Sequence, residues 1–190
     1  LFFVANLFAQ TLARQEMSET LMKKFKATSE ENAQSTNISF IQNKGQIHDQ
    51  YYNPRPDVLF GATAGNMTFH LKTNGVSYQL TLVDSYKEVE DSKTNQTRKV
   101  IDQQTIYRID LSWINANANF VTSTDKSLDG YDNFYTAGCS EGGVLNVKSY
   151  TGVSIHNLYT GINLHYYEKE GQLKHDYIVA PGANYKQIQL

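Results

Sequence analysis

The stretch Ile162 to Val179 constrains this chain more than any other. Ile162, Leu164 and Tyr166 alternate with Asn163, His165 and Tyr167. After Glu170-Gly171, residues Leu173, His175, Tyr177 and Val179 alternate with Lys174, Asp176 and Ile178. A period of two marks a strand with one covered face. With Glu170-Gly171 as a two-residue turn, Ile162 faces Val179, Leu164 faces Tyr177 and Tyr166 faces His175. Apolar side chains then oppose one another along one face, and a slip of one residue would drive Asn163 and His165 into the core. On the other face the same register sets His165 opposite Asp176.

The rest of the chain predicts more short strands. Ser39 to Gln42, Val58 to Phe60, Met67 to Leu71 and Val76 to Val83 are apolar runs. Thr73-Asn74-Gly75 is read as the turn before the last of them, with Asn-Gly the favoured pair for a tight hairpin. Asp84 to Asp102 is polar and predicts a surface loop or a long exposed hairpin tip. Tyr107, Ile109, Leu111 and Trp113 share one face of the next strand. Phe120-Val121, Val144 to Tyr150 and Val153 to Leu158 are further strands, with Gly138 to Gly143 irregular between them. The composition agrees: 13 Tyr and 9 Phe against 3 Pro favour sheet, and 40% hydrophobic residues are enough for a core. The expected fold class is all-β, an antiparallel two-layer sandwich of about eight to ten strands, because no strand–helix–strand rhythm is present.

Three segments are expected. Residues 1–9, LFFVANLFA, are too short to span a bilayer but match the apolar part of an export signal whose basic start is missing. Residues 10–36 are polar. Met17, Leu21 and Phe25 recur every four residues, so a marginal helix or a flexible linker is expected there. Residues 37–190 form the β-rich domain, and the strand pattern near Leu190 predicts that the polypeptide continues. No other segment is long enough to span a membrane.

The chemistry-bearing residues are few. A net charge of −2 gives no broad basic face for nucleic acid. The single cysteine, Cys139, permits no intrachain disulfide and has neither a base nor a cation beside it in sequence. None of the five histidines has a partner at the spacing of a metal pair, so no metal or cofactor is expected. His165 and Asp176 form a polar cross-strand pair that would be half of a catalytic triad, but no G-x-S-x-G elbow supplies the nucleophile. Asp125, Asp129 and Asp132 cluster near Gly130 without the spacing of a calcium loop, so a solvated turn is the simpler reading.

Three strings resemble a known family. Phe40-Ile41-Gln42-Asn43-Lys44-Gly45-Gln46 is similar to its opening motif. Asn157 to Tyr167, NLYTGINLHYY, is similar to its central motif, with Tyr159 and Gly161 in place and Asn163 where aspartate is usual. Leu173 to Asn184, LKHDYIVAPGAN, is similar to its closing motif and contains Asp176, Tyr177, Pro181 and Gly182. A weaker match lies at Tyr131 to Tyr135, and the Trp expected near Gly138 to Val144 is absent. The likeness spans about residues 38–190. The family is an uncharacterised β-rich domain at the N-terminus of exported Bacteroidota proteins, ahead of SBBP-type propeller repeats, PKD-like domains and type IX secretion sorting domains.

That resemblance implies a non-catalytic structural or interaction module, secreted or at the cell surface. Its partners would be the downstream β domains of the same polypeptide. Asn43, Lys44, Gly45, Gln46, Pro181 and Gly182 read as turn residues that fix the fold. The alternative is a glycan- or polymer-binding adhesion module, which an exposed coplanar row of Tyr51, Tyr52, Tyr86, Tyr131 and Tyr135 would support. A hydrolase is the third reading. It requires His165 and Asp176 in a cleft with a hydroxyl within reach.

Overall fold

The computed structural model describes residues 38–91 and 96–190, so the expected signal remnant and the 10–36 helix or linker lie outside the described residues. The described chain is all-β. Its strands are β1 (Phe40–Gln42), β2 (Val58–Ala64), β3 (Met67–Lys72), β4 (Gly75–Asp91), β5 (Gln96–Ser112), β6 (Val121–Thr124), β7 (Asp132–Phe134), β8 (Val144–Val147), β9 (Ser149–Tyr150), β10 (Gly152–Tyr159), β11 (Ile162–Lys169) and β12 (Gln172–Val179). They form a six-stranded sheet in the order β5-β4-β3-β2-β1-β9, a four-stranded sheet in the order β12-β11-β10-β6, and the pair β7-β8. There are more strands than expected, because the 144–150 run splits at Lys148 and a short strand arises at 132–134. No helix among the described residues is long and apolar enough to cross a membrane.

The described residues divide into two compact units, one of 38–80 with Tyr107–Leu190 and one within Thr81–Ile106. In the larger unit the two main sheets pack face to face. Phe40, Phe60, Phe69, Leu71 and Val76 come from one sheet, and Val153, Ile155, Leu158, Ile162, Leu164 and Tyr166 from the other. The Phe69 ring meets Phe40 edge-on at 6.3 Å and Tyr166 at 4.9 Å between centroids. Truncating one such buried ring or branched chain costs about 2–5 kcal/mol. The smaller unit is a two-stranded ribbon formed by the far ends of β4 and β5.

The C-terminal hairpin has the expected register: Ile162↔Val179, Leu164↔Tyr177, Tyr166↔His175 and His165↔Asp176. Glu170 and Gly171 have φ of 55° and 73°, as a two-residue turn matched to strand twist requires. One expectation needs correction. The register Lys72↔Gly75 makes Thr73-Asn74 the turn, and Gly75 is the first strand residue. Glycine is needed there because a Cβ would collide with the Leu111 carbonyl. Of the two alternatives for Asp84 to Asp102, the structure has the long exposed hairpin tip rather than the loop, since β4 and β5 run on to Asp91 and from Gln96. Tyr107 and Ile109 are exposed, although they share a face with Leu111 and the buried Trp113. Their alternation fixes which side chains point together, but it does not ensure that a second layer reaches them.

Candidate functional site

The opening motif builds a turn and, beside it, the wall of a cleft. The Asn43 amide nitrogen donates to the Arg55 and Val58 carbonyls at 2.9 and 2.8 Å, and its amide oxygen accepts from the Gly45 N–H at 2.9 Å. Gln46 is buried. Its amide donates to the Gln42 carbonyl at 2.6 Å, and its oxygen accepts the Lys44 N–H at 2.7 Å. Gly45 takes φ 111°, a conformation that side chains disfavour. The Lys44 ammonium reaches across to the Leu145 carbonyl at 2.9 Å.

Next to this turn, a cleft of about 370 Å³ lies between the sheets, lined by residues including Gln42, Asn43, Arg55, Leu59, Phe60 and Thr122. Pro54 and Pro56 flank Arg55, and the Arg55 guanidinium is gripped by Asp57 through two bonds of 2.8 and 2.7 Å. That pairing raises the Arg55 pKa and lowers that of Asp57. Arg55 is thus a pre-positioned donor whose charge is already balanced, suited to neutral acceptors such as carbonyl or hydroxyl oxygens.

The central and closing motifs meet at the far end of the hairpin. Gly161 has φ 73°, and a Cβ there would stand 2.8 Å from the Ala183 Cβ. The Gly161 carbonyl accepts the Ala180 N–H at 2.9 Å, and the Ala183 N–H returns to Ala180 at 3.0 Å, closing a turn over Pro181 and Gly182. Gly182 takes φ 81° in that turn, with Pro181 ahead of it. Tyr159 is buried, and its hydroxyl donates to the Gln189 carbonyl at 3.1 Å. Tyr177 is half-buried, and burial raises its pKa.

The outer face of the four-stranded sheet holds the remaining polar chemistry. His165 and Asp176 are cross-strand neighbours, but the His165 imidazole pairs with Asp125 at 2.8 Å, and Asp176 accepts the Tyr167 hydroxyl at 2.9 Å. That bond raises the Tyr167 pKa. Asp125 can reach His165 because it lies over Gly152, where any Cβ would collide with its carboxylate. Ser123 sits 2.6 Å from His156 on the same face. Hydroxyl, imidazole and carboxylate are therefore divided between two histidines on an exposed sheet rather than aligned in one cleft. Sequence reading missed both pairs. Neither member stands near the other in the chain, and the Gly152 gap becomes visible only once the strands are paired.

On the other sheet, Asp110 accepts from Lys72 at 2.8 Å and from Arg108 at 2.8 and 3.0 Å. Arg108 and then Lys72 hold the Asp110 carboxyl well below the usual carboxylate range. His70 lies nearby, and burial, reinforced by Arg55 and Arg108, lowers its pKa. Its neutral form is therefore the favoured one.

Among the described residues no group of three or more His, Cys, Asp or Glu could hold a metal ion. Asp125 is engaged with His165, and Asp132 begins β7. Cys139 is a free, half-buried thiol beside the Thr136 hydroxyl at 3.5 Å. The five tyrosines proposed as a row are all exposed, but they sit in three places. Tyr51 and Tyr52 lie in the β1–β2 loop, Tyr131 and Tyr135 flank β7, and Tyr86 belongs to the ribbon.

No curated protein and no solved structure matches this chain. A family model described as a domain of unknown function, DUF7948, matches residues 40–190. That span takes in the motif turn, the cleft wall and the close contacts of Gly152 with Asp125 and Gly161 with Ala183, and the chain belongs to the DUF7948 family.

Proposed function

We propose that this domain is a non-catalytic interaction module carried on an exported, multidomain polypeptide. The observation behind this reading is the position of Asn43. The same side chain that closes the opening motif also holds the Arg55–Val58 wall of the cleft. Motif residues elsewhere close turns and close-packed contacts, and the cleft lining offers donors and apolar surface without a nucleophile paired to a base. The motif likeness supports the wider setting: a Bacteroidota protein at the cell surface or beyond, with SBBP-type propeller repeats, PKD-like domains and a type IX sorting domain downstream. Those β domains are the natural partners, and no nucleic acid is involved.

Glycan or polymer binding is the second reading. Two loops carry the exposed Tyr51, Tyr52 and Tyr135, and they meet where Gly138 packs on the His48 ring, so stacking surfaces sit on one joined edge. Both readings are tested by mixing the chain with its downstream domains, with a glycan array, and with chromogenic ester, glycoside and peptide substrates. Binding to the downstream domains without turnover is the expected result. Saturable turnover that is lost in Ser123→Ala would overturn it.

A further inference from the structure

Among the described residues, strand β6 is an edge of the four-stranded sheet and pairs only with β10. The Asp125 N–H bonds to the Gly152 carbonyl at 3.0 Å, which makes Asp125–Gly152 a hydrogen-bonded pair of this antiparallel ladder. Such pairs recur every second residue, so Ser123 and Val121 also turn their backbone groups toward β10. Thr122 and Thr124 then turn their N–H and C=O groups outward. Thr122 also lines the cleft, together with Arg55, Leu59 and Phe60. Val121, beside it on the edge, is 66% exposed.

We propose that this edge and cleft together capture an extended peptide segment, which adds as a strand beside β6. This rests on the interaction-module reading and names its partner class. Alternating outward donors and acceptors on one strand are complementary to another backbone, which matches their repeat as sugar hydroxyls do not. The incoming strand would drop one apolar side chain onto Phe60 and Leu59. Its neighbouring carbonyl would face the Arg55 guanidinium, whose charge is already balanced by Asp57. Within Val121-Thr122-Ser123-Thr124 there is no lysine, no proline and no charged side chain, so of the usual guards against pairing this strand keeps its shortness and the charge of Asp125 just beyond its end.

The test is amide exchange on the full chain, titrated with an alternating threonine–valine peptide that has lysine at each end. Exchange at the Thr122 and Thr124 amides is expected to slow by about tenfold or more at saturation. Thr122→Pro removes only an outward N–H, a place where an edge strand tolerates proline, and it should abolish the slowing, while Thr122→Val should retain it. Thr124→Pro serves as the second variant should the first fail to fold. Unchanged exchange at both amides in the wild-type chain would overturn strand capture. If the chain still bound its downstream domains, the interaction-module reading would stand, whereas substrate turnover would remove that reading itself.

Discussion

Two hairpins in this molecule are built on opposite terms. In β11–β12 each strand has eight residues, and Ile162, Leu164 and Tyr166 are buried beneath the facing sheet. In the ribbon formed by the far ends of β4 and β5, Tyr86, Ile101 and Ile106 are about half exposed, at 53%, 49% and 48%, and Leu82 is its buried apolar side chain. Polar links cross the ribbon instead: Lys87 to Asp102 at 3.0 Å, Thr105 to Asp84 at 2.6 Å, and the Lys99 ammonium 4.6 Å from the Tyr86 ring centroid. The longer hairpin is thus the less buried one. Strand length follows from unbroken β-prone sequence, whereas register is held where a wrong pairing would bury polar atoms.

Side-chain truncation should separate the two hairpins most widely. Leu164→Ala is expected to destabilise the chain by about 2–5 kcal/mol, as a buried leucine does, and Ile101→Ala by less than about 0.5 kcal/mol. Urea denaturation measures both, and equal losses would break the contrast. Glycine substitution gives a smaller difference, within the first hairpin and its entry turn. Gly161 and Gly171 share a φ of 73°. A Cβ on Gly171 meets nothing within 4 Å, while one on Gly161 would overlap Ala183. Gly171→Ala should cost about 1 kcal/mol for the left-handed backbone alone, and Gly161→Ala about 2–3 kcal/mol once Ala183 must also move. Matching costs would show that the Ala180–Ala183 turn yields freely.

These contrasts also explain what the sequence could reveal. The β11–β12 register was legible because both strands alternate and a two-residue turn leaves a single frame that places apolar on apolar. The same alternation at Tyr107 to Trp113 sets these side chains on one face but carries no information on whether a second layer covers the strand. Asn74-Gly75 pointed to the correct turn but one residue late, because Gly75 is required by the Leu111 backbone rather than by a positive φ within the turn. The turn role of Asn43 to Gln46 was legible as well. The cleft was not, because its lining joins residues 42–60 to Thr122 of the other sheet. Nor was the His165 partner, which depends on the bare backbone of Gly152 one strand away.

The smallest expected effect lies in the ribbon's own links. Lys87 and Asp102 are 57% and 38% exposed, and Ser85 approaches the same carboxylate at only 3.5 Å. Water screens such a pair, and fixing two side chains offsets much of the attraction, leaving about 0–1 kcal/mol. Global denaturation is a poor probe here, since a ribbon can open while the core stays folded. The sharper measurement is a double-mutant cycle of Lys87→Ala and Asp102→Ala, read by amide exchange within β4 and β5. A coupling below about 0.5 kcal/mol is expected. A coupling above about 1 kcal/mol would mean that surface charges hold this hairpin's register as the core holds the other's, and the distinction drawn from burial would fail.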